Sequence, residues 1–167
     1  YSETLSKKIK NSNGVLWANQ FDNLSNKKSH YLTTGPEIWD QLYGKVDAFI
    51  CSVGTGGTLA GTSQFLREKN KNIKIGLADP FGSAIHNFYK KGILESEGNS
   101  ITEGIGQGRI TKNLEDTKVD ESFQISDTEA LEIVFEMILK EGLILGGSSG
   151  INIIGAIKLG KLIGKNK

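Results

Sequence analysis

A chain of 167 residues with 37% hydrophobic and 23% charged residues is long enough to bury one core and ordinary enough in composition for a globular domain. Its net charge of +1 argues against a dedicated nucleic-acid surface, and no apolar run reaches the roughly eighteen residues of a membrane helix. The single cysteine, Cys51, excludes an internal disulfide and argues against a zinc site, so no metal is expected.

In chain order, Val15-Leu16-Trp17-Ala18 reads as a short apolar strand ending at Asn19-Gln20, and residues 22–31 read as polar and irregular. A helix is expected from Gly35, with Pro36 in its first turn, where a missing N–H costs nothing. The run 46–51 suits a strand covered on both faces, and Cys51 at its end suits a buried, inert thiol. After the glycines at 54, 56 and 57, Leu59, Phe65 and Leu66 give a helix its apolar side, and 73–78 form the next strand, broken at Asp79-Pro80. Strand, helix, strand is a βαβ unit, hence an α/β fold with a parallel twisted sheet and helices on both faces. Residues 83–91 predict a short helix closed by Gly92, followed by a charged surface loop at 95–100. A brief strand at 123–125 leads to Ser126, whose spacing from Glu129 is that of a capping box. Leu131, Val134, Phe135 and Ile138 then repeat at helical spacing as core scaffold, to a stop at Gly142. A last helix runs on from Ile151.

The chemistry concentrates in Ser52-Val53-Gly54-Thr55-Gly56-Gly57-Thr58-Leu59. A strand, a glycine turn and a helix start form an anion seat. Glycines let backbone N–H groups approach a ligand, and the helix N-terminus adds roughly half a positive charge. Gly54, Thr55, Gly56, Gly57 and Thr58 are the candidate phosphate ligands, the two threonines through their hydroxyls. Leu59 stands where a dinucleotide fingerprint has its third glycine, and no lysine follows as in a nucleoside-triphosphate loop. A single phosphate monoester suits the seat best. An ordinary strand-to-helix turn would use similar glycines, so the turn alone leaves both readings open. Gly104-Ile105-Gly106 and Gly146-Gly147-Ser148-Ser149-Gly150 add two more glycine clusters, readable as a flexible loop and as a helix start capped by Ser148 or Ser149. Arg109 reads as a surface or interdomain ion pair, and neither His30 nor His86 has ligands at metal spacing.

Taken together and in order, Asn19-Gln20-Phe21-Asp22-Asn23, Thr33-Thr34-Gly35-Pro36-Glu37-Ile38-Trp39, the glycine turn, Glu103-Gly104-Ile105-Gly106 and Gly146 to Gly150 resemble the cysteine synthases, pyridoxal-phosphate enzymes of fold type II with a tryptophan-synthase-β-like architecture. The resemblance implies pyridoxal 5'-phosphate as cofactor, gripped by 54–58, with the Ser148 hydroxyl at its ring nitrogen. A neutral hydroxyl there leaves that nitrogen largely unprotonated, favouring β-elimination over transamination. It further implies that Gln20 steadies the substrate α-carboxylate, and that Gly104 and Gly106 shape a closing wall. The implied reaction is replacement of the acetate of O-acetylserine by sulfide to give cysteine. The alternatives are a cystathionine β-synthase-like sister enzyme and a non-catalytic fragment or binding module.

No lysine here stands in the family's Schiff-base setting, so no catalytic residue is assigned in this chain. Tyr1 rather than methionine opens it, and 1–167 is expected to be part of the cofactor-binding domain of a two-domain enzyme, with 1–14 at the edge of an absent N-terminal part. A homodimer, a cytoplasmic location and binding of the serine acetyltransferase C-terminal tail are further expectations from the resemblance. The lysines at 7, 8, 10, 158, 161, 165 and 167 read as solvated chain ends.

Overall fold

The structure, a computed structural model, describes Thr4 and residues 14–164. The lysines at 7, 8, 10, 165 and 167, and nearly all of the segment 1–14, lie outside the described residues. Three parallel strands form the sheet in the order β1-β2-β3: β1 (Ala48–Cys51), β2 (Lys74–Pro80) and β3 (Glu121–Ile125). Phe49 pairs with Ile75 and Cys51 with Leu77, while Ala78 pairs with Phe123 on the other side of β2. The central strand is the most deeply buried, every residue after Lys74 being enclosed. Among the described residues β1 has one neighbouring strand and its residues are only half-buried, so the apolar run reads more enclosed than it is.

Helices cover both faces, as the alternation of strand and helix requires. α3 (Gly57–Lys69) and α4 (Ile85–Lys91) bring Leu59, Leu66 and Ile85 against Ile75 and Leu77. On the opposite face α5 (Asp127–Glu136) and α6 (Gly147–Ile163) bring Ala130 and Ile151 against Ala78 and Ile125. Gly155 makes the second contact possible, because a Cβ there would lie 2.6 Å from the Ala78 Cβ. Gly92 ends α4 in the left-handed conformation at φ 75°, which a glycine adopts without strain.

The capping box of α5 is present in both directions, with the Ser126 side chain accepting from the Glu129 amide and Glu129 from the Ser126 amide. Ser126→Ala removes it and is expected to cost about 1 kcal/mol, read as a lower denaturant midpoint of the full-length protein. The helix gives way to one π-helical turn (Met137–Glu141) before Gly142 stops it. Its apolar face is wider than the core that receives it. Val134 is buried, but Leu131 is 37% and Phe135 61% exposed, so these two do not serve as core scaffold here.

Two segments depart from expectation. Residues 15–18 form no strand; Leu16 is 92% exposed, and no described strand pairs with the segment. The segment expected to be irregular instead carries α1 (Ser25–Leu32), followed by α2 (Thr34–Gln41). α1 has no side-chain cap and buries no residue fully, so it lacks the marks by which sequence identifies a helix. It is held by close approach to α3, where a Cβ on Gly61 would fall 2.2 Å from the Lys27 carbonyl oxygen.

Asp79, near the end of β2, has no exposed surface. Its Oδ2 accepts from the His86 amide at 2.8 Å, while Oδ1 has no partner among the described residues. Burial pushes its carboxyl up to about 6, from an ordinary 3.8. Between those values the folded chain holds a proton that the unfolded chain has released. Stability therefore falls as pH rises through this window and is level above it. Asp79→Asn is expected to abolish that fall, a gain on the order of 2 kcal/mol at pH 7, measured as the variant-minus-wild-type difference in denaturation free energy across the window.

Candidate cofactor and substrate site

The carboxyl end of β1 opens into the glycine turn, and each glycine there is matched by a close neighbour. Gly56, at φ 86°, is the left-handed residue preceding α3. A Cβ on Gly54 would lie 2.4 Å from the Gly104 carbonyl oxygen, and one on Gly57 would lie 2.0 Å from Asn26 Oδ1. Close packing of protein on protein therefore accounts for part of the glycine requirement. The donors remain outside that packing. Gly57 N–H reaches Thr55 Oγ1 at 3.3 Å and Ala60 N–H bonds to the Gly56 carbonyl, whereas the amides of Gly54, Thr55, Gly56 and Thr58 take no part in the turn, loop and cap hydrogen bonds of the described residues. They surround the N-terminus of a thirteen-residue helix, where the dipole favours an anion.

The second glycine cluster lies directly against this turn. Gly106 N–H donates to the Val53 carbonyl at 2.8 Å, and Gly104 and Gly106 both have positive φ, 77° and 83°. The same segment borders a cavity of about 290 Å³ with Pro80, Ser83 and Thr102 in its wall.

α6 begins beside the same strand end. Asn152 ties the two together, its Oδ1 accepting from the Ser52 amide at 2.8 Å and its Nδ2 donating to Ser52 Oγ at 3.0 Å and the Ser148 carbonyl at 2.7 Å. The helix cap is Gly146, without a side-chain capping bond, and Ser148 and Ser149 lie inside the first turn. The reading of either serine as N-cap is therefore replaced. Ser148 is half-buried, and its hydroxyl makes no hydrogen bond among the described residues.

Gln20 is exposed, and its carbonyl is held by two asparagines, Asn26 Nδ2 at 2.9 Å and Asn113 Nδ2 at 2.9 Å. Asn113 is fully buried, donates also to the Phe21 carbonyl at 2.7 Å and accepts from the Lys27 amide at 3.2 Å. Asn26 donates in addition to Thr55 Oγ1 at 2.9 Å, joining the Gln20 segment to the glycine turn. The buried Thr111 hydroxyl donates to the Thr55 carbonyl at 2.7 Å. Arg109 forms the expected ion pair, a two-pronged one with Asp22 at 3.0 and 3.1 Å, which holds the Asp22 carboxyl below its ordinary range. Its guanidinium stands 5.9 Å from the Phe21 ring centre, and Phe21 is half-buried outside both core clusters.

All the predicted positions thus meet at one rim: the glycine turn, Gly104 and Gly106, Ser148 and Gln20. Asn26, Thr111, Asn113 and Asn152, which connect them, escaped the sequence reading, since an isolated Asn or Thr carries no periodic signal. Cys51 keeps some exposure as a residue, but its sulfur is enclosed and burial pushes the thiol up to about 12, as an inert group requires. His86 Nδ1 lies 2.6 Å from Ser122 Oγ, and burial lowers its pKa, which suits a structural role.

The donor set suits a phosphate monoester: unengaged amides at a helix N-terminus, two threonine hydroxyls, and no cationic side chain within the turn itself. Likenesses to known proteins agree with this chemistry. The pyridoxal-phosphate dependent enzyme family matches residues 1–167. Cysteine synthase 1 of Neurospora crassa is 49% identical over 156 residues, 90% of this chain and 42% of that protein. Cysteine synthase 1 of Emericella nidulans is 44% identical over 170 residues, covering 99% and 46%. The crystal structure of an O-acetylserine dependent cystathionine beta-synthase from Helicobacter pylori superposes with a TM-score of 0.81 at 30% identity, over 94% of this chain and 48% of that one. The chain spans less than half the length of these relatives, and its fold is that of the type II pyridoxal-phosphate enzymes. No helix among the described residues is long and apolar enough to cross a membrane.

Proposed function

The chain belongs to the pyridoxal-phosphate dependent enzyme family, and we propose that the full-length protein is a cysteine synthase that makes cysteine from O-acetylserine and sulfide. The observation that carries this reading is the convergence of three glycine segments and Gln20 at the carboxyl end of β1, where parallel sheets gather their ligands. Two relatives carrying the name cysteine synthase 1, at 49% and 44% identity, support the choice of reaction. Bound there, the cofactor supplies an electron sink for breaking bonds at the substrate's α- and β-carbons.

The chain's own residues bind and orient. The amides of Gly54, Thr55, Gly56 and Thr58 and the two threonine hydroxyls hold the phosphate, and the hydroxyl of the half-buried Ser148 offers a neutral partner to the ring nitrogen. Gln20 donates its carboxamide hydrogens to the substrate carboxylate, and the segment of Gly104 and Gly106 forms the wall opposite the turn. From the family likeness alone, the reading includes a homodimer, a cytoplasmic location, binding of the serine acetyltransferase tail, and a Schiff-base lysine outside these 167 residues.

The Helicobacter pylori neighbour's name favours a second reading, in which a larger thiol replaces sulfide. Assay of the full-length protein with O-acetylserine plus sulfide, and separately with O-acetylserine plus homocysteine, decides between them. Cysteine formation from the first pair is expected; activity with the second pair alone contradicts the proposal.

A further inference from the structure

Helix α1 presents Asn26 and His30, four residues apart and so on one face, to the two threonines of the glycine turn. The Asn26 carboxamide has a fixed orientation, because its Nδ2 bonds to the Gln20 carbonyl at 2.9 Å and a carbonyl can only accept. The other hydrogen of that Nδ2 goes to Thr55 Oγ1, also at 2.9 Å. Thr55 Oγ1 accepts again from the Gly57 amide at 3.3 Å. With both lone pairs engaged, the Thr55 hydroxyl can act toward any third group only as a donor, and no described residue accepts from it.

His30 stands behind Thr58 in the same way. Its Nε2 lies 3.2 Å from Thr58 Oγ1 and its Nδ1 lies 2.8 Å from Thr34 Oγ1. A hydrogen donated by Thr34 into Nδ1 places the ring hydrogen on Nε2, which then donates to Thr58 and leaves that hydroxyl's own hydrogen for an outside acceptor. Gly57 and Gly61 make room for this approach, since a Cβ at either would strike Asn26 or the α1 backbone.

We propose that Asn26 and His30 are positioning residues of the phosphate seat, donors placed behind Thr55 and Thr58 that turn both hydroxyl hydrogens outward to a phosphate monoester. The inference rests on the pyridoxal-phosphate reading of the turn. It gives α1 a function beyond packing on α3, for a helix that merely covered α3 would have no reason to set the polarity of the Thr55 hydroxyl.

The test titrates the apo form of the full-length protein with pyridoxal phosphate and with pyridoxal, which lacks the phosphate. Asn26→Ala is expected to weaken pyridoxal-phosphate binding roughly tenfold, the scale of one hydrogen bond to a charged group, and to leave pyridoxal binding unchanged. In a Thr55→Val background the same substitution is expected to change neither. His30→Ala with Thr58→Val forms the matching set, and carries the test should Asn26→Ala not fold. Equal weakening toward both vitamers, or an undiminished effect in the valine background, overturns the proposal. Wild-type protein that binds the two vitamers equally tightly would overturn the phosphate reading itself and the inference with it, so the two failures are distinguishable.

Discussion

Gly61→Ala is expected to detach α1 from α3 and to strip the full-length protein of most of its cofactor retention. The added methyl would lie 2.2 Å from the Lys27 carbonyl oxygen, 2.8 Å from the Tyr31 amide nitrogen and 2.9 Å from His30 Cβ. Two of those three are backbone atoms of one helix, so no rotamer change relieves the overlap; the whole of α1 must move. Overpacking of this kind costs about 3 kcal/mol, and more where backbone cannot yield. The movement also carries Asn26 from Thr55 and from the Gln20 carbonyl, so the loss reaches the site as well as the fold. Displacement near 1 Å at a reacting centre is worth roughly a hundredfold in kcat/KM. Denaturation and cysteine formation, measured on the same preparation, check the two effects. A stable, fully active Gly61→Ala protein would mean that α1 and α3 do not pack this closely.

Asn113→Ala is expected to act at longer range and with comparable force. Its fully buried carboxamide satisfies two carbonyls, of Gln20 and Phe21, and the amide of Lys27. Truncation orphans the Phe21 carbonyl and the Lys27 amide, leaves the Gln20 carbonyl to Asn26 alone and opens a small void, a loss of about 2 kcal/mol when each orphaned group costs of the order of 1 kcal/mol. The kinetic signature should be selective. The Gln20 segment loosens while the glycine turn keeps its own backbone geometry, so KM for O-acetylserine is expected to rise well above tenfold with little change in cofactor affinity. Steady-state kinetics beside a cofactor titration reads this split. A fall in kcat with KM unchanged would show that Asn113 supports the site as a whole and not the carboxylate segment in particular.

How much could be read beforehand follows from how local each signal is. β2 and α5 were legible because apolar periodicity and a capping box are written in neighbouring residues. Gly54 to Thr58 stand out as candidates because a glycine-rich turn joins a strand to a helix there, though the turn alone fits an ordinary connection too, and Ser148, Gln20, Gly104 and Gly106 are candidates because the motif order resembles a known family. α1 was missed because what makes it a helix is Gly61, some thirty residues downstream, and not a cap or an apolar stripe of its own. The strand expected at 15–18 failed for the converse reason, since Val15 and Leu16 stay exposed and no described strand pairs with the segment. Leu131 and Phe135 have helical spacing, yet spacing says only which face they share, not whether anything covers it. Asn26, Thr111, Asn113 and Asn152 are the least legible of all. Each is a single polar residue whose partners lie distant in sequence, Asn152 a hundred positions from Ser52, and only the folded chain shows which polar groups need satisfying.

The central claim is that the unengaged amides before α3 grip the phosphate of the cofactor. A crystal structure of the full-length protein with pyridoxal phosphate tests it most directly. Phosphate oxygens are expected within hydrogen-bond reach of the amides of Gly54, Thr55, Gly56 and Thr58 and of the hydroxyls of Thr55 and Thr58. A phosphate bound elsewhere, with those amides turned inward and bonded within the protein, would contradict it.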